Sequence, residues 1–292
     1  MCIRDRASAL ADLNRAEEAL GALADYRRRF VVSSRSEEVL GLQGLLLQRA
    51  GRPHEALEAF TELLSRYPYS SKKDEYLLRR ARSSLASGDA SGALKDFFAV
   101  VQGFPDSGLR SECEYAIGSI YSGRAEHARA LPYFQAVWER EKEGELANRA
   151  ALAVGVCLYN MGEYRQALAW FDRLPERAAA GLWAAQGWYY AGRALYKLQD
   201  LERAAERFGR AASALEGSPE GQEALYWQAV SQFRLNRLSQ ARLLFLSLAE
   251  RYPHGPRAAE SLYRAGVCDA LVGEHARAVN AFDRAMEAAR SA

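Results

Sequence analysis

Apolar and small residues recur along this chain with a period of 37 residues. Eight alanines mark the period, at Ala19, Ala56, Ala93, Ala130, Ala167, Ala204, Ala241 and Ala278. A large apolar residue follows each alanine by four positions, as Leu23, Phe60, Phe97, Phe134, Phe171, Phe208, Phe245 and Phe282. A small residue precedes each by twelve, as Ala7, Gly44, Ala81, Gly118, Gly155, Gly192, Ala229 and Gly266. A fixed period of this length indicates one structural unit stacked on copies of itself, because a single unit cannot bury its apolar face alone.

Within each copy, the apolar residues follow the spacing of two helices. The second copy shows both sets, which are Leu40, Gly44 and Leu47, then Ala56, Phe60 and Leu63. Such spacing predicts a helical hairpin in every copy. The small residue and the alanine are explained together if the two helices cross there, since close backbones exclude larger side chains. We expect the phenylalanine to fill the gap between repeats.

Turn-forming residues separate these helices. Five positions before the alanine stands Asn14, Gly51, Gly88, Gly162, Asn236 or Gly273, with Ala125 and Gln199 as exceptions. Glycine and asparagine adopt positive φ and end a helix at little cost. A proline closes three copies, at Pro68, Pro105 and Pro253, and helices end before such a residue. Copies four to six depart from this, with Lys142, Ala179 and Glu216 at the same position.

These positions together resemble the tetratricopeptide repeat. The resemblance covers about residues 7 to 292 and implies an all-α fold, a right-handed α-solenoid of about eight helical hairpins. The period exceeds the usual one of about 34 by three residues, so we expect a longer connection between repeats. The Y-P-x-S closure, with a tyrosine three positions before the small residue, is similar to repeats of bacterial envelope proteins. That likeness slightly favours the periplasm or cell envelope over the cytoplasm.

The unbroken period predicts one solenoid from residue 7 to residue 292 without a linker. The segment Glu216 to Gly221 reads as a linker by composition, but the period passes through it, so we interpret it as a turn between repeats. The predicted repeats are 7–36, which is partial, then 37–73, 74–110, 111–147, 148–184, 185–221, 222–258 and 259–292.

Both ends of the sequence look unlike native protein ends. The residues Met1 to Arg6 back-translate to the transposon end used in sequencing libraries, so we interpret residues 1–6 as an adapter read as protein. The eighth copy is followed by no polar capping helix, which solenoids normally carry. A signal peptide, a lipid anchor or a fused domain could have been lost at either end, so the absence of these segments from the sequence carries little information.

Composition limits the classes of partner and the cellular environment that the sequence favours. The net charge is +2 and no basic run forms a patch, so a nucleic-acid partner is not favoured. No apolar stretch approaches the ~20 residues that span a bilayer. Cys157 and Cys268 share one phase three repeats apart, beyond the ~7 Å limit for a disulfide, and we expect the cysteines to be small core residues. Absence of disulfides leans toward a reducing compartment, against the envelope likeness.

No motif for chemistry is visible. Phosphate-binding glycine loops, the H-E-x-x-H zinc motif and C-x-x-C pairs are all missing from the sequence. His127 and His275 both stand in the segment EHARA, and we interpret them as two copies of one solvated turn. We predict no catalytic residue, no cofactor and no metal site.

The candidate binding surface lies on the first helices. In tetratricopeptide superhelices, the stripe beside the small residue lines the concave groove, and here it is rich in aromatic rings. Such rings suit an extended peptide, a helix or a glycan strand. The alternative is that the rings pack against adjacent first helices. The predicted groove residues are Tyr115, Tyr159, Tyr189, Arg193, Tyr196, Tyr226, Phe233 and Tyr263.

The chaperone-binding members of the family hold a peptide's terminal carboxylate with a lysine-based clamp. Tyrosine, leucine or glycine stands at the matching positions here, so that clamp is absent. The leading prediction is a non-catalytic scaffold that binds a protein or peptide, as a bacterial accessory or assembly factor. Two alternatives stay open: the interaction arm of a larger enzyme, and a structural envelope lipoprotein.

Overall fold

The computed structural model describes residues 15–30, 35–177 and 181–290, and these residues contain 15 helices and no strand. The helices are α1 (Ala16–Arg29), α2 (Ser36–Arg49), α3 (Pro53–Arg66), α4 (Lys73–Ala86), α5 (Ala90–Gly103), α6 (Arg110–Gly123), α7 (His127–Arg140), α8 (Glu145–Asn160), α9 (Tyr164–Arg177), α10 (Leu182–Lys197), α11 (Leu201–Ala214), α12 (Pro219–Arg234), α13 (Leu238–Arg251), α14 (Ala258–Leu271) and α15 (His275–Arg290). The sequence-based predictions for Met1 to Arg6, Ala7, Asn14 and Ala179 concern residues outside these described ranges.

The helices pair as the period predicts. α1 is the second helix of the first repeat, and each later repeat contributes one hairpin, from α2 with α3 to α14 with α15. Each hairpin packs on the next within its unit, which is the arrangement of an α-solenoid. The all-α fold class and the helical hairpin are confirmed. No helix in the described part of the chain combines the length and apolarity needed to cross a membrane.

The contacts divide the chain into two compact units, Met1–Arg140 and Glu141–Ala292. The first contains α1 to α7 and the second contains α8 to α15. The division falls inside the predicted repeat 111–147, so the single solenoid over residues 7–292 stays a prediction.

The phenylalanines of the period form the centre of each hairpin. Phe60, Phe97, Phe134, Phe171, Phe208 and Phe245 are the largest fully buried side chains. The small residue of the first helix makes room for the ring of its own hairpin: a Cβ built on Gly155 would lie 2.3 Å from Cε1 of Phe171. The other side of this ring stacks on Tyr190 of the next repeat at 5.4 Å between centroids. The ring therefore fills the notch inside the hairpin as well as the gap between repeats.

The turns inside the hairpins use positive φ throughout. Gly51 has φ 70° and Asn236 has φ 59°, as the pattern predicts. The two exceptions adopt the same backbone, because Ala125 has φ 60° and Gln199 has φ 65°. Alanine pays a steric cost in this region, so the turn geometry prevails over the residue type.

The connections between repeats explain the Y-P-x-S closure. α3 ends at Arg66, two residues before Pro68, and Ser70 then donates a hydrogen bond of 2.5 Å to Glu37 on the first helix of the same repeat. Ser107 repeats this arrangement one period later, donating to Asp74 at 2.5 Å and accepting from the N–H of Leu109 at 3.2 Å. The serine thus ties the end of its repeat to the start of that repeat's first helix and also caps its own turn.

Repeats that lack the proline use another closure. α8 follows Gly144 with φ 97°, and α10 follows Gly181 with φ 104°. α12 follows Ser218, whose hydroxyl accepts from the N–H of Gly221, and the N–H of Gly217 donates to the Tyr252 hydroxyl at 3.1 Å. These three first helices have 16 residues, whereas α2 has 14. The segment Glu216 to Gly221 is therefore a turn and a helix start, as predicted.

Candidate peptide-binding surface

Seven of the eight predicted groove residues lie in the second unit, on the first helices of its hairpins. We call the exposed side of α8, α10, α12 and α14 the first-helix surface. α8 contacts α10 directly, so side chains of consecutive repeats meet on this surface. Tyr115 lies in the first unit, on α6, where its ring packs on Phe134 at 5.3 Å between centroids.

Arginines of one repeat cover tyrosines of the preceding repeat. The guanidinium of Arg193 lies 5.0 Å from the ring centre of Tyr159, which joins α10 to α8. Arg234 lies 5.0 Å from the ring centre of Tyr196, which joins α12 to α10. These cation–π contacts supply attraction at half-buried sites. They link successive first helices into one continuous surface.

Tyr226 is buried beneath the first-helix surface. Its side chain is only 3% exposed, and its ring meets Phe245 edge to face at 6.0 Å. Its hydroxyl donates a hydrogen bond to Glu260, while Arg257 and Arg264 lie near its ring. Burial and this carboxylate raise the pKa of Tyr226 to about 12. In this structure Tyr226 is a packing residue, which corresponds to the alternative interpretation for that position.

Glu260 is the polar centre of this contact. Although burial opposes ionisation, hydrogen bonds from Tyr226, Arg257 and Arg264 hold the pKa of Glu260 below its usual range. Arg257 in turn pairs with Glu223 at 2.6 Å. The negative charges of Glu260 and Glu223 are therefore balanced by Arg257 and Arg264.

The remaining predicted rings are half-buried or exposed. Tyr189 packs edge to face on Phe208 at 6.1 Å, and burial raises the pKa of its phenol, which keeps it neutral. Phe233 packs on the core cluster around Phe245. Tyr263 is 56% exposed, and one face of its ring meets Phe282 at 5.5 Å. These positions offer aromatic surface, and their role in binding stays a prediction.

The sequence reasoning missed two aromatic residues of this region. Tyr190 stacks on Phe171, and Trp227 stacks on Phe208 at 6.4 Å while meeting Tyr196 edge to face at 5.2 Å. Both occupy the same phase of the repeat, two positions before the small residue. That shared phase was the available signal. Tyr190 packs against Tyr189, and Trp227 packs against Tyr196, so both rings hold predicted groove tyrosines in place.

The described residues also include the side-chain types that bind metal ions. No group of three or more His, Cys, Asp or Glu side chains among them could hold a metal ion. Cys113, Cys157 and Cys268 are buried, and burial raises the pKa of Cys113 to about 12 and of Cys268 to about 11. His127 and His275 are the first residues of α7 and α15, which are equivalent positions. The cysteines are small core residues, as predicted.

Solved structures with similar folds are tetratricopeptide proteins. One is the C-terminal part of a repeat protein from Cytophaga hutchinsonii, with 15% identity, TM-score 0.74, and coverage of 88% of this chain and 98% of that one. Another, from Parabacteroides merdae, has 16% identity, TM-score 0.60 and coverage of 90% and 97%. YrrB, described as a tetratricopeptide protein with an unusual peptide-binding site, has 21% identity, TM-score 0.53 and coverage of 67% and 93%. A comparison with curated protein sequences found no match.

The stacked hairpins, the buried phenylalanine and the small-residue notch define an α-helical repeat protein. The family model for the tetratricopeptide repeat matches residues 41–108, 115–182 and 189–256, well over half of the chain. The chain therefore belongs to the tetratricopeptide repeat family.

Proposed function

We propose that this protein is a non-catalytic scaffold that binds a protein or peptide segment along the first-helix surface of its second unit. The observation that carries the proposal is the row of partly exposed aromatic rings on consecutive first helices, among them Tyr159, Tyr196 and Tyr263. Rigid rings supply contact area at small entropic cost. YrrB, which shares the fold, is described as having a peptide-binding site.

The supporting structure is preorganised. The rings are held by Phe208, Phe245 and Trp227 beneath them, so little side-chain freedom is left to lose on binding. Successive first helices carry the rings at two positions of the repeat, with Tyr159 and Tyr196 in one row and Tyr189 and Tyr263 in the other, which matches the repeating side chains of an extended or helical segment. A binding role needs no reactive group, and the thiols of the second unit are buried.

The test is selection of random twelve-residue peptides displayed on phage against the whole 292-residue chain, followed by affinity measurement with fluorescein-labelled peptides. Tyr263→Ala and Tyr159→Ala should each weaken binding about tenfold, the effect of removing a central aromatic contact. The matched control is Tyr69→Ala, because Tyr69 is 98% exposed and lies in the first unit. Equal affinity of all three variants and the parent would refute the assignment of this surface.

We also propose that the protein acts as a bacterial accessory or assembly factor in the cell envelope. The support is the likeness of its Y-P-x-S closures to repeats of envelope proteins. Fractionation of bacteria that express the native gene tests this, and recovery in the cytoplasmic fraction would exclude the envelope.

A further inference from the structure

Three cations on the first-helix surface have no acidic partner in the described part of the chain. They are Arg193 and Lys197 on α10 and Arg234 on α12. The guanidinium carbon of Arg193 lies 5.0 Å from the ring centre of Tyr159, 5.8 Å from that of Tyr190 and 6.0 Å from that of Tyr189. Arg234 donates one hydrogen bond of 2.6 Å to the side-chain oxygen of Gln199.

Several other arginines of the second unit pair with carboxylates. Arg207 pairs with Asp172 at 3.0 Å and Arg242 with Asp269 at 2.6 Å. Helix α10 contains no Asp or Glu at all. The nearest acids in sequence are already engaged, because Asp200 pairs with Arg203 and Glu202 with Arg237. The positive charges of Arg193, Lys197 and Arg234 are therefore not balanced by acidic side chains of α10 or by the acids nearest to it in sequence.

An arginine in this setting favours a carboxylate. Its guanidinium carries five N–H donors in a planar fork that matches the two oxygens of Asp or Glu. Aromatic faces attract the charge but accept these hydrogen bonds poorly. Half-burial beside three rings also lowers the local dielectric constant, which strengthens an ion pair formed there.

The positions of these cations distinguish between a peptide's terminal carboxylate and a series of Asp or Glu side chains. Arg193 and Lys197 lie one helical turn apart on α10, and Arg234 occupies the next repeat. A peptide terminus would bring one carboxylate, whereas cations on two helices match several acidic side chains along one segment. We propose that the first-helix surface binds an extended acidic segment of a partner protein, with Asp or Glu side chains of that segment on Arg193 and Arg234. This inference rests on the proposed function.

The experiment uses the same display selection, with the random peptides fused at both ends so that no free terminal carboxylate is present. Selected peptides are synthesised with capped ends, each beside a twin in which Asp and Glu are replaced by Asn and Gln. Binding to the whole chain is measured by fluorescence anisotropy. Arg193→Gln and Arg234→Gln are the test variants, and Arg203→Gln is the control, since Arg203 is exposed on α11 and pairs with Asp200. Lys197→Gln is added because its exposed side chain can be changed without disturbing ring packing.

We expect the selection to enrich acidic peptides and the amide twins to bind at least tenfold more weakly. Arg193→Gln should reduce affinity about tenfold, the usual value for a charged hydrogen bond, and Arg234→Gln about two- to threefold, because the Arg234 side chain is exposed. Lys197→Gln should reduce it two- to threefold, as expected for an exposed pair, and Arg203→Gln should leave it unchanged.

Three results would overturn the inference, each in a distinguishable way. Selected peptides that bind as well as their amide twins, with no effect of Arg193→Gln, would remove the acidic segment but leave the proposed scaffold. A dimer in sedimentation that Arg193→Gln dissociates would identify a second copy as the occupant. Failure of the wild-type chain to enrich any peptide over a helical bait without these repeats would remove the proposed function as well.

Discussion

Replacing Gly118 by valine should destabilise the hairpin of α6 and α7, because the phenylalanine ring occupies the space of the missing side chain. A Cβ on Gly118 would lie 2.8 Å from Cε1 of Phe134 and 3.0 Å from its Cδ1 and Cζ. Ordinary carbon contacts are about 3.5 to 4.0 Å, so the ring would have to move by roughly 0.7 to 1 Å. Phe134 is 2% exposed and has no free space to enter.

The magnitude follows from two opposing effects. Overpacking a filled core costs about 1 to 3 kcal/mol, and valine recovers a few tenths of a kcal/mol of helix propensity relative to glycine. The net loss is about 2 kcal/mol, which corresponds to a roughly 30-fold fall in local protection. Valine is chosen because Ala81 and Ala229 occupy the equivalent position in two repeats while Phe97 and Phe245 stay buried.

The assay is native-state hydrogen exchange of the amides in α6 and α7, read by mass spectrometry. Gly123→Val is the matched control, because Gly123 lies on the same helix and an added Cβ there meets no atom within 4 Å. Its protection should change by less than about 0.5 kcal/mol. Phe134→Leu combined with Gly118→Val should show a favourable coupling of about 1 kcal/mol. Equal protection in Gly118→Val and Gly123→Val would refute the notch as the reason for the small residue.

Three further changes test the turns, the closures and a buried phenol. Ala125→Gly should stabilise the first unit by about 1 kcal/mol, because glycine relieves the cost of alanine at φ 60°; the urea midpoint measures it. Ser107→Ala should destabilise that unit by about 1 to 2 kcal/mol, because Asp74 loses its donor; thermal melting measures it. Tyr226 has a folded pKa of about 12, above its usual value near 10. Its contribution is complete below pH 10 and is lost as the pH rises toward 12, so Tyr226→Phe should flatten the fall in stability across that window.

Each of these changes has its own control. Gly88→Ala places alanine at φ 83° in the same unit and should lose about what Ala125→Gly gains. Ser65→Ala removes a hydroxyl that bonds only within its own helix, so its melting temperature should match the parent. For the phenol, Trp227→Phe changes a ring that packs on Tyr226 and carries no titratable group, so the fall in stability across that window should match the parent's. A stabilised Gly88→Ala or an unaltered Tyr226→Phe profile would contradict the reasoning.

The fold could be predicted from the sequence because every copy repeats the same local requirement. The phase of Phe134 and Gly118 reports a contact inside one hairpin, and the same contact recurs in the five described copies that have glycine at this position. The turn positions show the strength of this constraint, since Ala125 and Gln199 adopt positive φ without the residue type that favours it. Local geometry that recurs at one period leaves a direct trace in the sequence.

The candidate surface was harder to predict because its contacts join different repeats at different offsets. Tyr226 reaches Glu260 across 34 residues, whereas Trp183 reaches Glu145 across 38. The phase of a residue identifies its helix face, and it placed Tyr189 and Tyr226 in one row. It does not determine which neighbour covers each ring. Tyr226 is buried because Glu260 and Arg264 from the next repeat close over it, while Tyr263 has no such cover.

The same reasoning supports the proposed role of Arg193 in binding an acidic segment of a partner protein. Its equivalents in the other described repeats are Leu45, Arg82, Ser119, Val156, Val230 and Val267, so the period fixes no residue type there. Arg82, the other arginine of the set, pairs with Glu112, whereas no carboxylate of the described residues pairs with Arg193. A side chain that departs from the repeat, lies among aromatic rings and meets no carboxylate of the described residues is not explained by packing of the scaffold. In a repeat protein, conformity to the period accounts for stability, and departures from it indicate positions free to serve recognition.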